Sequence, residues 1–351
     1  MRRRDYLAVG GTVLATGLAG CRSMFETRSA RSPPLVEDRP DAVYYPTHAE
    51  GMEMVGTTDA GDYGVALTYS FPHRFWLFTG ADRRKVEVRG EDAVHMMSVV
   101  WDRETGTVVP NSSVETTVRR DGATVAEKSL WSMLSQNMGV HAGDNMALEG
   151  NGTYEVEVAI GPVSARRTGA FRERFAERVT ATFSLAFERA AMEDIPFERL
   201  PDQQGQPGAV EPMDMEMVPV ASTPAPADLP GATAGTVTSG DATVAVTRLD
   251  APPAGVEGDG PYLAVSARTP YNGYPLPFMT VSAALARDGS EAFSGPLDPT
   301  FDPDLGYHYG AVADAQSGDD LTLSVELPPQ IARHEGYETA FRSFEDATLS
   351  L

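Results

Sequence analysis

The sequence predicts an all-β fold, built as two tandem Ig-like β-sandwich domains. Three observations predict it. Apolar runs of strand length recur and are punctuated by glycines and Asp-Gly turns. One long stretch returns 167 residues later with no insertion. No long amphipathic helix interrupts the pattern; the best helix-like region, residues 192–200, is broken by Pro196.

The repeat is clearest at Gly139-Val-His141-Ala-Gly143, followed by an alternating run at 154–160, Pro162, Ala165-Arg166 and Gly169. Gly306-Tyr-His308-Tyr-Gly310 opens the second copy, followed by a run at 321–327, Pro329, Ala332-Arg333 and Gly336. Followed backwards, the same offset pairs Leu130 with Leu297, Arg120-Asp121-Gly122 with Arg287-Asp288-Gly289, Val114 with Val281, Pro110 with Pro277 and Gly106 with Gly273.

Taken in order, residues 1–21 read as a targeting segment. Arg3-Arg4-Asp5-Tyr6-Leu7 resembles a twin-arginine signal, and the apolar run behind it is too short to span a bilayer. It ends Leu18-Ala19-Gly20-Cys21, which resembles a lipobox, and Cys21 is the only cysteine of the chain. Lipid attachment at Cys21 is therefore expected, placing the mature chain on the outer face of the cell membrane. Residues 22–42 read as a tether. The first sandwich is expected over 43–200, with alternating or apolar runs at 64–69, 74–78, 85–89 and 94–101. A hairpin is expected about Asp121-Gly122. Tyr154, Val156, Val158 and Ile160 share one strand face, with Glu155 and Glu157 on the other. Residues 201–235, rich in Gln, Gly, Pro and Ala, read as a linker, and they hold Met213-Asp-Met215-Glu-Met217. The second sandwich is expected over 236–351.

Lys and Arg total 28 against 50 Asp and Glu, a formal net charge of -22 spread along the chain. No basic stripe exists to neutralise phosphates, which argues against a nucleic-acid partner. The acidic, Lys-poor composition resembles that of haloarchaeal secreted proteins. No phosphate-binding loop, nucleophile elbow or zinc signature is present, so no enzyme is expected. What stands out is six His and 14 Met, several of them adjacent. Imidazole with thioether suits copper, can serve iron, and is poor for calcium or magnesium.

These residues resemble the small periplasmic iron-transport accessory proteins, Ig-like sandwiches that bind copper or iron and assist ferrous uptake through a permease. Val94-His95-Met96-Met97 resembles the family's strand His, with Met97 in the place of an acidic ligand. The segment from Met133 to Met138 resembles its Met segment, and His141 and His308 its Gly-x-His motif. Pro328-Pro329 with His334 resembles its last element. The resemblance implies metal donors among His95, Met97, Met133, Met138, His141, His308 and His334. It implies an iron or copper ion, a membrane iron permease and a homodimer as partners. The departures are that His95 faces Tyr262 across the repeat, and His334 faces Arg167. Three arrangements stay open: a site within the first domain, a site shared across an interface, or sandwiches that have lost the metal. His73, flanked by aromatics, is expected to be structural. The alternative function is a metal-free interaction module of the cell surface.

Overall fold

The computed structural model describes residues 31–351; the signal segment, Cys21 and part of the tether lie outside them. Leu35–Leu351 forms one unit. Its strands are β1 (His48–Glu50), β2 (Glu53–Ala60), β3 (Tyr63–Ser70), β4 (Phe75–Thr79), β5 (Asp82–Val86), β6 (Asp92–Asp102), β7 (Ser112–Arg120), β8 (Ala123–Ser135), β9 (Gly139–Ala147), β10 (Gly152–Val163), β11 (Arg166–Arg167), β12 (Val179–Phe187) and β13 (Phe197–Arg199). The second half supplies β14 (Ala232–Ser239), β15 (Ala242–Leu249), β16 (Tyr262–Arg268), β17 (Thr280–Arg287), β18 (Ser290–Asp302), β19 (Gly306–Val312), β20 (Asp320–Leu327), β21 (Ala332–Arg333) and β22 (Ala347–Ser350). The predicted all-β class is what is found, and its two halves share one topology.

In the first half the neighbours run β12-β10-β7-β8-β9-β6-β3-β2; in the second they run β14-β15-β16-β19-β18-β17-β20-β22, the same order read in reverse. The long strand of each half serves both layers. β8 pairs with β7 up to Leu130 and with β9 from Trp131 onward, so the sheet folds over at that point. β18 does the same between Leu297 and Asp298. The inner faces follow the two-residue period read from sequence: Tyr154, Val156, Val158 and Ile160 are all fully buried.

The 167-residue offset does not hold throughout: Thr116 and Ala283 pair with Val158 and Leu323, which stand 165 apart, and the largest break lies earlier in the chain. Tyr63 opens β3 as Ala242 opens β15, which is 179 residues later, while His95 and Tyr262 still stand 167 apart. The first copy therefore carries 12 extra residues between β3 and β6, and the β4–β5 hairpin lies there.

The halves also exchange segments. β11, which follows β10 of the first copy, runs parallel to β18 of the second. Reciprocally, β21 runs parallel to β8, with Ala332 opposite Met133 and Arg333 opposite Leu134. The inserted hairpin covers the outer edge of this arm, where Arg333 pairs with Trp76.

Several local expectations shift. The alternating run at 85–89 lies largely beyond β5. Residues 192–200 form the end of a 3-10 turn (Arg189–Asp194) and then β13, which pairs with β1. The first strand of the second half, β14, begins at Ala232. The run 213–217 is not a strand: Met215 packs on the core while Met217 is 60 % exposed.

Candidate metal centre

β6, β8 and β9 lie side by side, and one face of this patch carries His95, Met133 and His141, with His141 directly opposite Met133. The exchanged arm brings His334 onto the same patch, where its backbone N–H donates to the Leu134 carbonyl. The inserted hairpin brings His73. One ring nitrogen from each of His73, His95 and His334 lies within 4.8 Å of the others. The His141 ring is 5.2 Å from that of His334, and the Met133 sulfur is 3.3 Å from His334 Nε2.

Hydrogen bonds decide the tautomers. His95 Nδ1–H donates to Asn145 Oδ1 at 2.9 Å, and His141 Nδ1–H donates to the Gly139 carbonyl at 3.0 Å. His73 Nδ1–H donates to the Phe71 carbonyl at 3.0 Å. A carbonyl oxygen can only accept, so each of these rings carries its lone pair on Nε2. His73 Nε2 is then an acceptor, and the nitrogen 3.1 Å away, His334 Nδ1, must donate to it. His334 therefore also presents its lone pair on Nε2. Nε2 of His95 and Nε2 of His141 are buried with no hydrogen-bond partner. Orphaned buried acceptors cost about 1–3 kcal/mol each, so two in one patch call for an explanation. A bound cation is one that satisfies both.

The electrostatics agree. Burial, the largest cause in every case, pushes His73 down to about 3 and His141 to about 4; His95 and His334 fall well below the usual value, helped by their neighbouring imidazoles. All four rings are neutral at pH 7, the form that binds metal. The sign for stability follows. Below pH 6.5 the unfolded chain takes up protons that the folded chain refuses, so stability is full above pH 6.5 and falls as pH drops toward 4. Each ring contributes a slope of up to about 1.4 kcal/mol per pH unit. Urea midpoints of the metal-free protein at pH 7.5, 6 and 5 are expected to fall in that order, and less steeply in a His95→Gln, His141→Gln variant.

Space is kept by Gly143, opposite both Trp131 and Met97. A Cβ there would sit 2.9 Å from His95 Nε2 and 3.2 Å from the Met133 sulfur. Gly143→Ala is expected to weaken copper binding roughly 10- to 100-fold through displaced donors. Its melting temperature is expected to stay within a few degrees of wild type; calorimetric titration and a thermal melt check the two halves.

The second copy is an internal comparison. There Tyr262 replaces His95, and its hydroxyl lies 3.1 Å from His308 Nε2. Thr300 replaces Met133, 3.5 Å from the same hydroxyl. A Cβ on Gly310 would fall 1.9 Å from the Tyr262 oxygen. The phenol fills the space and satisfies the imidazole. Thr168, whose backbone N–H donates to the Phe301 carbonyl as that of His334 does to the Leu134 carbonyl, stands where the first copy's site receives His334, and its hydroxyl donates to Asp302 Oδ2 at 2.7 Å.

Of the residues expected from sequence, His95, Met133, His141 and His334 come together, and His308 does not join them. Met97 and Met138 pack in the main apolar core. His73, expected to be structural, stands in the cluster. The sign that marks it is the 12-residue insertion, visible only once the strands on both sides are aligned.

Residues 91–188 match the family model described as Fe2+ transport protein. That match lies within the first copy. Residues 227–350 match a family model described as a domain of unknown function. Among solved structures the chain is similar to FetP of uropathogenic E. coli strain F11, at 16 % identity over 40 % of this chain and 96 % of that one, with a TM-score of 0.29. A copper-bound variant of FetP is similar at 17 % identity over 39 % of this chain and 97 % of that one, with a TM-score of 0.30. No curated protein matches the chain.

Proposed function

We propose that the protein is an extracytoplasmic metal-binding accessory of iron uptake. It holds a copper or iron ion reversibly through His95, Met133 and His141 of the first copy and His334 of the second. The observation that carries this reading is the convergence of neutral Nε2 lone pairs and one thioether on a buried patch whose duplicate is plugged by a phenol. The match of residues 91–188 to the Fe2+ transport model supports the physiological setting. Copper is the better fit to this donor set, since three imidazoles and a thioether carry no charge to hold a harder cation. Reversible binding suits presentation of the ion to a membrane permease, with the chain held at the membrane by lipid on Cys21. The exchanged arms give one chain a contact of the kind two copies would otherwise make, so a site can form within a single chain.

The test is titration of the purified mature chain with Cu(II), Cu(I) and Fe(II). One equivalent bound with a Kd of micromolar or below is the expected result. Binding no tighter than millimolar for all three ions overturns the reading and leaves a metal-free interaction module.

A further inference from the structure

The β4–β5 hairpin has no counterpart in the second copy, and it contributes one residue to the centre. His73 sits just ahead of β4. Its backbone is held from both sides by Asn145, whose Oδ1 accepts from the His73 N–H at 3.2 Å and whose Nδ2 donates to the His73 carbonyl at 2.9 Å. The same Oδ1 accepts from His95 Nδ1–H. Position 145 corresponds to Val312 in the second copy, so the insertion and the side chain that fastens it occur together in the copy with open donors. The His73 ring lies 4.0 Å from that of His95 and receives the hydrogen bond from His334.

Three imidazoles present Nε2 to the patch, and each needs its Nδ1–H anchored. His95 uses Asn145 and His141 uses the Gly139 carbonyl. His334 arrives on an arm from the other half, and the described partner of its Nδ1 is His73. We propose that His73 is the positioning residue for His334: the hairpin inserted in the first copy supplies an acceptor that fixes the tautomer and ring orientation of a donor coming from the second. His73 itself stays outside the coordination sphere, because its one lone pair is spent on this bond and its other nitrogen donates to Phe71. An accepting partner on Nδ1–H makes the opposite nitrogen a stronger donor, and loss of such a partner weakens metal binding roughly 10- to 100-fold.

The proposal rests on the reading that this patch binds copper, and its test separates the two. In copper-free protein, imidazole 15N NMR is expected to show His334 as the Nδ1–H tautomer. In His73→Ala the signals are expected to move to a tautomer mixture, and in His73→Gln, whose Oε1 can accept the same bond, to return toward wild type. An unchanged His334 spectrum in His73→Ala overturns the proposal whether or not copper binds. With Cu(II) added, pulsed EPR is expected to count three coordinated imidazoles in wild type and in His73→Ala alike, while competition titration shows the 10- to 100-fold loss, partly recovered in His73→Gln. A count that drops by one in His73→Ala makes His73 a ligand and overturns the positioning role. If wild-type protein shows the NMR tautomer but binds no copper, the metal reading falls and the His334–His73 bond stands as a lock between the copies.

Discussion

A His95→Ala, His141→Ala double variant is expected to lose copper binding by roughly 1,000-fold or more. Even a hydrogen-bond partner outside a metal's coordination sphere is worth roughly 10- to 100-fold in affinity, and two direct donors exceed two such losses combined. These positions carry the two orphaned Nε2 atoms, so their removal takes away the donors that have no other employment in the fold. The neighbouring donors, His334 and the Met133 sulfur, remain but cannot complete a four-donor centre. Equilibrium titration against a chelator of known affinity checks the loss, and circular dichroism of the metal-free variant checks that the sandwich persists. Wild-type affinity in the double variant would move the site elsewhere in the chain.

Arg333→Met is expected to destabilise the protein by about 4 kcal/mol and to weaken copper binding as well. Arg333 is fully buried. Its guanidinium donates to the carbonyls of Ala340, Pro329 (2.9 Å) and Phe341 (3.3 Å), and it lies 3.8 Å above the Phe78 ring. Burial, then the nearby Arg342 and Arg83, pulls its pKa down to about 9, which leaves it charged at pH 7. Methionine keeps the apolar stem but abandons three buried carbonyls, each costing about 1–3 kcal/mol when unsatisfied, only partly offset by relaxation. It also loses a desolvated cation–π contact of about 2 kcal/mol. Phe78 belongs to the inserted hairpin and Arg333 to the exchanged arm, so this contact clamps the segment that delivers His334. Urea unfolding and copper titration of the same variant read the two effects. A loss of stability with copper affinity unchanged would show that the arm holds His334 without this clamp.

Much of this is legible in the sequence. Alternation in Tyr154, Val156, Val158 and Ile160, turns at Asp121-Gly122 and Asp288-Gly289, and the recurring offset are local properties of the chain. A β fold in two copies follows from them because strand period and turn chemistry act over a few residues. The chemical types of the donors were equally visible, since imidazole and thioether are covalent facts. The place of His73 in the cluster is not legible in the same way: aromatic neighbours in the chain say nothing of what lies across the sheet.

What the chain by itself determined is the kind of strand at each place, the duplication and the inventory of soft donors. Only the tertiary structure decided which donors meet. His334 reaches Met133 across 201 residues of chain because the arm after β20 crosses to the other half. His308, identical in local motif to His141, is closed off by a phenol that comes from a neighbouring strand. Side-chain convergence depends on strand pairing between distant segments, and burial then sets which ring nitrogens are neutral and unpaired. No window of sequence contains that information, because the free energy that brings the segments together is shared over the whole core.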